Sequence, residues 1–242
     1  MKDEGPAVSD LDVTLAGTKL QLCPEGAVWW REEQTLFVAD LHWGKTATFR
    51  AHGIAVCDGP LHADLERLSS LLCRTQARRL IVLGDLLHHR RGRPESLSEA
   101  VVGFRRQHAE VEMLLIRGNH DRGSGDPPAE WNIACRNEGE RLGPFELRHF
   151  LRASEYFVLA GHEHPKIRLY GAGRMKEALR CFWRRGDSLV LPAFSSFVDS
   201  AFVHPEEQDE LYLLAGDQVV PLPAAARIKR SRRKAASRAP AR

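Results

Sequence analysis

Aspartate, histidine and asparagine recur in this chain directly after apolar runs. They are Asp40 and His42 in VADLHWGK, Asp85 in VLGDLLH, Asn119 and His120 in IRGNHD, His149 in ELRHF, and His162 with His164 in AGHEHP. In an extended segment residues i and i+2 face the same way, so Asp40 and His42 are expected to converge, and so are His162 and His164. Carboxylate, imidazole and amide oxygen without thiolate suit Mn, Fe or Zn better than a soft metal. One carboxylate can bridge two cations, and a pair about 3.5–4 Å apart polarises a phosphoryl group and lowers the pKa of a bridging water. The resulting hydroxide would attack phosphorus in line, so catalysis would be electrostatic and positional, without a covalent protein intermediate. Each segment taken alone has a plainer reading. Gly84-Asp85 could be a strand-ending turn, Gly118-Asn119 a turn dipeptide, and His162 and His164 solvated imidazoles. Five such segments in order, four of them at the ends of apolar runs, argue for one shared site.

The elements that must position these residues follow from periodicity. Residues 11–38 read as short strands around turns, with AVWW and TLFVAD among them. Residues 44–53 read as a short helix after Gly44. Leu61, Leu65, Leu68 and Leu72 lie at helical spacing in the segment that opens with Asp58 and Pro60. RRLIVLGD is a continuous apolar run of buried-strand type. A second helix using Leu97, Val101 and Phe104 precedes the second buried strand, VEMLLIRGNHD. SGDPPAEWN reads as loop. FELRHF, YFVLAGHEH, IRLYG, RCFWRRGDSLVLPAF and ELYLLAGDQVVPL then form a strand-rich half. Helix-alternating strands followed by mostly strands predict two packed sheets with helices outside.

Composition closes off other classes. The chain has 242 residues, of which 43% are apolar and 28% charged, enough for one core and too apolar to be disordered throughout. No apolar run reaches the length of a membrane-spanning helix. The opening residues carry no signal-type apolar stretch, and the five cysteines are scattered, which suggests reduced, inert thiols in the cytoplasm. The formal charge of +3 is unevenly placed. Residues 227–242 hold eight Lys or Arg and no acid, leaving 27 basic and 32 acidic residues in 1–226. The expected organisation is therefore a single domain over 1–226 and a disordered basic tail over 227–242. That tail either binds phosphate backbones or is merely solvated.

In this order, DLHWGK, GDLLH, RGNHD, RH and GHEHP resemble the five motifs of the calcineurin-like metallophosphoesterase superfamily, over about residues 35–215. VADLHWGK, RGNHDR and LVLPAF are similar, more narrowly, to the ligase-associated metallophosphoesterases that accompany DNA ligase and helicase in bacterial DNA repair clusters. The resemblance implies an α/β fold, a four-layer αββα sandwich of two mixed sheets flanked by helices, with two divalent metal ions at one edge. Carried over, Asp40, His42, Asp85 and His164 would hold the first metal. Asp85, Asn119, His149 and His162 would hold the second, with Asp85 bridging and Mn the typical ion. His120 would not ligate but would stabilise or protonate the leaving oxygen, with Asp121 orienting its ring. The chain departs from the family's protein phosphatases, which carry Asp-Arg three and four residues after the bridging carboxylate. Here those positions are His88 and His89. Loss of that pair favours a diester or nucleotide substrate over a phosphoprotein.

The implied activity is a metal-dependent phosphodiesterase, an endonuclease of DNA repair working beside ligase and helicase. The alternatives are a nucleotide or lipid-nucleotide pyrophosphohydrolase on the same scaffold, or a non-catalytic docking module. Several further residues admit two readings. His88 contacts substrate or supports the site from behind. Lys45 and Arg117 pair with phosphate, or Lys45 caps a carbonyl and Arg117 neutralises acids. Arg90, Arg91 and Arg93 attract a polyanion, or sit on a solvated loop. Trp43 stacks on a base or packs over the site.

Overall fold

A computed structural model of the chain describes residues 8–57, 59–170 and 176–223. Asp58 and the basic segment 227–242 lie outside the described residues. The chain forms the expected sandwich of two mixed sheets.

Seven strands build the first sheet in sequence order: β1 (Leu11–Leu15), β2 (Thr18–Cys23), β3 (Ala27–Trp30), β4 (Thr35–Val38), β5 (Arg79–Leu83), β6 (Glu112–Ile116) and β7 (Ile133–Arg136). β1 to β4 pair antiparallel through tight turns, and β4 to β7 pair parallel. Parallel pairing needs crossovers, which helices provide. They are α1 (Lys45–Ala51) and α2 (Gly59–Thr75) between β4 and β5, and α3 (Glu95–Gln107) between β5 and β6. α3 buries Leu97, Val101 and Phe104 as their spacing predicts; α2 buries Leu65, Leu68 and Leu72 of the expected stripe together with Leu71, while Leu61 is only partly buried. Glu95 in the first turn of α3 and Arg105 and Arg106 in its last match the helix dipole.

The second sheet uses β8 (Glu140–Leu142), β9 (Phe145–Leu147), β10 (Phe157–Ala160), β11 (Pro165–Tyr170), β12 (Lys176–Arg184), β13 (Ser188–Val190), β14 (Ala201–Phe202), β15 (Glu210–Ala215) and β16 (Gln218–Leu222). β9, β10 and β13 run parallel in its centre, and β14 forms an edge beside β11. Phe37, Ile81, Leu83 and Ile116 of the first sheet meet Phe145, Leu159, Phe182 and Leu189 of the second between the layers. A separate cluster lies on the first sheet under α2 and α3. The second sheet's own cluster, around Cys181, Trp183 and Leu211, is packed by Leu151, Val203 and strand side chains. Among the described residues no helix follows Trp131, so the outer helical layer over the second sheet has no counterpart there.

One element departs from its sequence reading. Asn119–Ser124, expected as strand end and turn, is a short helix, α4. Its entry residue Gly118 packs so close to Asp85 that an added Cβ would collide with that carboxylate.

Trp43 settles its own alternatives. It is 2% exposed and meets Trp131 edge-on at 6.0 Å, so it packs beneath the site and is out of reach of a base. Trp43→Ala is expected to cost about 3–5 kcal/mol of stability in denaturant unfolding. Trp43→Phe should cost much less, because the Trp43 indole N–H is buried without a partner. Equal losses in the two variants would contradict this packing role.

Candidate metal centre

The parallel strands of both sheets end at the same edge. Asp40 follows β4, Asp85 follows β5, Asn119 follows β6, His149 follows β9 and His162 follows β10, while His164 directly precedes β11. Ligand-type residues at the carboxyl ends of parallel strands face one crevice.

The local backbone is not the extended one expected. Asp40, His42, Asp85, His162 and His164 have φ of 58°, 46°, 53°, 71° and 43°, all left-handed. Asp40 and His42 do converge, but because two left-handed turns fold the chain back. His162 and His164 do not converge with each other. The ligand atoms of Asp40, His42 and His164 lie within 4.8 Å of one another, and those of Asp85, His149 and His162 form a second such group. Backbone bonds hold these turns together: Asp40 N–H to Gly84 O at 3.1 Å, His42 N–H to Asp85 O at 2.8 Å, and His162 N–H to Asp40 Oδ2 at 3.0 Å. Gly161 is required at its position, since an added Cβ would sit 2.8 Å from Asp40 Oδ2.

Ring orientation is set from behind. His149 Nδ1 donates to Leu83 O at 3.0 Å, His164 Nδ1 to Asp199 O at 2.9 Å, and His120 Nδ1 to His88 O at 2.7 Å. A carbonyl partner places the proton on Nδ1 and leaves Nε2 facing the site. Around His149 Nε2 stand Asn119 Oδ1 at 3.1 Å, His162 Nδ1 at 3.2 Å and Asp85 Oδ2 at 3.4 Å. His42 Nε2 lies 3.6 Å from the same Asp85 oxygen, so Asp85 stands between the two groups. His164 Nε2 and Asp40 Oδ1 are 3.1 Å apart. Yet Asp40 Oδ1, His42 Nε2 and His164 Nε2 are all buried without a directed hydrogen bond. Donor atoms of a carboxylate and two imidazoles buried within 4.8 Å of one another, short of hydrogen-bond partners, fit a cation among them. The residues present therefore fit divalent metal ions of the Mn, Fe or Zn kind.

Electrostatics agree. Asp40 and Asp85 are at most 1% exposed. Burial opposes ionisation of Asp85, but the His149 imidazole beside it holds its carboxyl below the usual carboxylate range. Burial likewise disfavours a charged His149, yet the Asp85 and Asp40 carboxylates push it up to about 9. His164 is raised by Asp40 against the same burial. Burial lowers His42 to about 3 and His88 to about 4, the latter helped by His120 and Lys45.

The other sequence candidates fall into place. The His120 side chain is 37% exposed, its Nε2 4.0 Å from Asp85 Oδ2. His88 stacks on it with centroids 5.0 Å apart, and His88 Nδ1 lies 3.3 Å from His42 Nδ1. Asp121 does not orient the His120 ring. Its buried carboxylate accepts from Asp85 N–H at 2.7 Å, Gly118 N–H at 2.9 Å and Leu87 N–H at 3.0 Å, and so braces the backbone that carries Asp85 and Asn119. Arg117 turns away from the site, bidentate to Asp126 at 2.7 Å. The Lys45 ammonium lies 5.7 Å and 5.6 Å from the ring centroids of Phe49 and Phe197, and burial pushes it down. Arg90 and Arg91 are exposed on the turn Arg90–Gly92, whereas Arg93 is tied to the carbonyls of Ser124, Gly125 and Asp126. Sequence reading gave Glu138, Asp64 and Asp199 no role. Glu138 Oε1 accepts from the backbone N–H groups of His149 and Phe150 at 3.0 and 2.8 Å. Asp64 in α2 reaches Ser196 N–H at 3.4 Å, and Asp199 orients His164 through its carbonyl. No pattern in sequence marks such supports.

Comparison with known proteins adds to this geometry. The family model described as calcineurin-like phosphoesterase matches residues 34–171. The crystal structure of Pseudomonas putida nuclease MPE is similar at a TM-score of 0.77 and 36% identity, covering 88% of this chain and all (100%) of that one. Yfce, a phosphoesterase from E. coli, aligns at a TM-score of 0.40 and 15% identity, over 78% of this chain and 92% of its own. No curated protein matches the sequence. Among the described residues, no helix is long and apolar enough to cross a membrane. The chain belongs to the calcineurin-like phosphoesterase family and is a metal-dependent phosphoesterase.

If Asp121 braces backbone, Asp121→Asn should leave buried N–H groups unmatched and cost about 1–3 kcal/mol of stability. The pH profile of hydrolysis should keep its shape. A displaced limb of that profile would instead indicate a carboxylate acting on His120.

Proposed function

We propose that the chain is a Mn-dependent phosphodiesterase that cuts nucleic-acid strands internally, as an endonuclease of bacterial DNA repair. The observation that carries the reading is the gathering of seven donor residues at one edge, with Asp40 Oδ1, His42 Nε2 and His164 Nε2 buried and short of hydrogen-bond partners. The likeness to a nuclease at 36% identity supports the polymer substrate. The motifs shared with ligase-associated relatives support a place beside DNA ligase and helicase. His88 and His89 stand where phosphoprotein phosphatases of the superfamily carry their Asp-Arg pair, which favours a diester.

Asp40, His42, Asp85 and His164 are assigned to one cation, and Asp85, Asn119, His149 and His162 to the other. Bound divalent cations would supply Lewis acidity that polarises a phosphoryl oxygen and lowers the pKa of a coordinated water. The remaining steps belong to side chains. His120 is locked at Nδ1 by the His88 carbonyl, and its backbone N–H holds Asp85 Oδ1 at 2.9 Å. In its doubly protonated form it carries a proton at Nε2, on the exposed side of the site, and delivers it to the leaving oxygen. The His88 ring, stacked on His120, limits its rotation and lines the approach of the substrate. Lys45 places a positive charge at the rim, and Arg90 and Arg91 extend that field. Segment 227–242 adds eight cations for the phosphate backbone.

The purified full chain with Mn should hydrolyse a chromogenic phosphodiester and cleave a single-stranded oligonucleotide, and a chelator should stop both. Asp85→Ala and Asn119→Ala are each expected to lower turnover at least about a hundredfold. Undiminished hydrolysis in both variants would refute the assignment. Turnover of nucleotide pyrophosphates with an intact oligonucleotide would point to a pyrophosphohydrolase instead.

A further inference from the structure

We infer that the β11–β14 edge of the second sheet, beside the metal centre, is a docking track for one strand of nucleic acid, built on Phe202, Lys166 and Arg168. The inference rests on the phosphodiesterase reading above and specifies where the polymer lies relative to the cleavage point.

Phe202 is 40% exposed on the edge strand β14 and lies outside the apolar clusters of the core. Lys166 Nζ lies 4.6 Å and Arg168 Cζ 4.2 Å from its ring centroid. Among the described residues neither cation is bridged to a carboxylate. Other cations nearby are spent on structure. Arg180 donates to Ala193 O at 2.9 Å, and Arg67 is bound to Asp64 at 3.0 Å and to the Phe194 carbonyl. Lys166 and Arg168 are thus charges left available on the surface, held in place by a ring.

The position follows from register. β11 starts directly after His164, Lys166 pairs with Phe202, and Ala201 N–H donates to His164 O at 2.9 Å. The segment that carries Phe202 also supplies the Asp199 carbonyl that orients His164. At the other end of the same segment Phe197 stands with Lys45 5.6 Å from its ring centroid and Phe49 at 5.8 Å. Two ring-and-cation units therefore flank the carbonyl that aims a metal-facing imidazole. Phe197 and Phe202 are five residues apart and can be separated by at most about 18 Å. Rings that stack bases alternating with cations that meet phosphates is how a single strand is gripped without sequence preference. In an acidic peptide only the carboxylates are bound to meet the cations, whereas every nucleotide brings both a base for a ring and a phosphate for a cation, so nucleic acid is the occupant that uses both.

The test compares specificity for a single-stranded oligonucleotide with that for the small chromogenic diester, both with Mn and the full chain. In Phe202→Ala the ratio of the two kcat/KM values should fall about five- to hundredfold, mostly through the KM of the oligonucleotide. Phe202→Trp should keep or raise it. The double variant Lys166→Gln/Arg168→Gln should flatten the slope of log binding constant against log salt by about 1.4. An unchanged ratio in Phe202→Ala, or a parallel fall for both substrates, would overturn the track while leaving the nuclease reading intact. A wild-type chain that turns over the small diester but neither binds nor cuts the strand would overturn both.

Discussion

The structure depends on holding a set of side chains in backbone conformations that they do not favour. Nine non-glycine residues among those described have positive φ, and five of them are Asp40, His42, Asp85, His162 and His164. Each such residue costs on the order of 1–3 kcal/mol and persists only when its surroundings over-determine it. Here the surroundings are other post-strand loops. The Asp40 N–H binds the Gly84 carbonyl, Trp43 N–H binds Leu86 O at 2.8 Å, His88 N–H returns to Trp43 O at 3.0 Å, and Phe194 N–H closes on Ala39 O at 2.8 Å. The parallel ladder of β4 and β5 thus continues past the strands as an irregular zipper. Strain at one donor residue is offset by bonds made at the next, which gives a preorganised site and not a flexible one.

The same crowding decides the electrostatics. Two carboxylates buried to 1% exposure or less need a compensating positive charge. His149, pushed up to about 9 by Asp85 and Asp40, and His164, raised by Asp40, can provide it as imidazolium. On the proposed assignment a ligating imidazole would have to give up that proton, so a cation and a proton would compete for the same place. The carbonyls of Leu83 and Asp199 make the exchange geometrically neutral. They keep the other ring nitrogen occupied, so each ring faces inward whichever charge it meets.

Much of this was legible from sequence, and the rest was not for identifiable reasons. The buried strands before Asp40, Asp85 and Asn119 announce themselves as apolar runs, and α2 and α3 by their leucine spacing. His149 was legible only by its order among the motifs, since its neighbours carry no pattern of their own. The left-handed turns were invisible because Asp and His have no strong preference that would flag them. The i, i+2 argument reached the right partner for Asp40 by the wrong backbone, and for His162 and His164 it failed. Asp121 is expected, from the family resemblance, to orient the His120 imidazole as carboxylates do. In space its carboxylate is consumed by three backbone N–H groups that only the folded loops bring together. β14 is two residues long, too short for any periodicity, so Phe202 left no trace in the pattern.

Net charge is a poor guide to where a polyanion would lie on this protein. Residues 1–226 carry more acid than base, yet the field near a surface is set by local charges within about a Debye length, roughly 8–10 Å. What matters is which cations keep their donors free. Arg93 and Arg105 are absorbed by backbone carbonyls and Arg117 by Asp126, where they stabilise loops and contribute little to an incoming phosphate. Lys45, Lys166 and Arg168 are instead held against aromatic rings, which fix their positions without spending their hydrogen bonds. They lie along the chain immediately after Asp40 and His42 and immediately after His164, on either side of the metal-facing residues. Three cations with free donors thus stand beside the reactive edge, among acids such as Glu163 and Asp199, although the body as a whole is acidic. On the proposed nuclease activity, that arrangement would draw a phosphate backbone toward the donors instead of onto the protein at large.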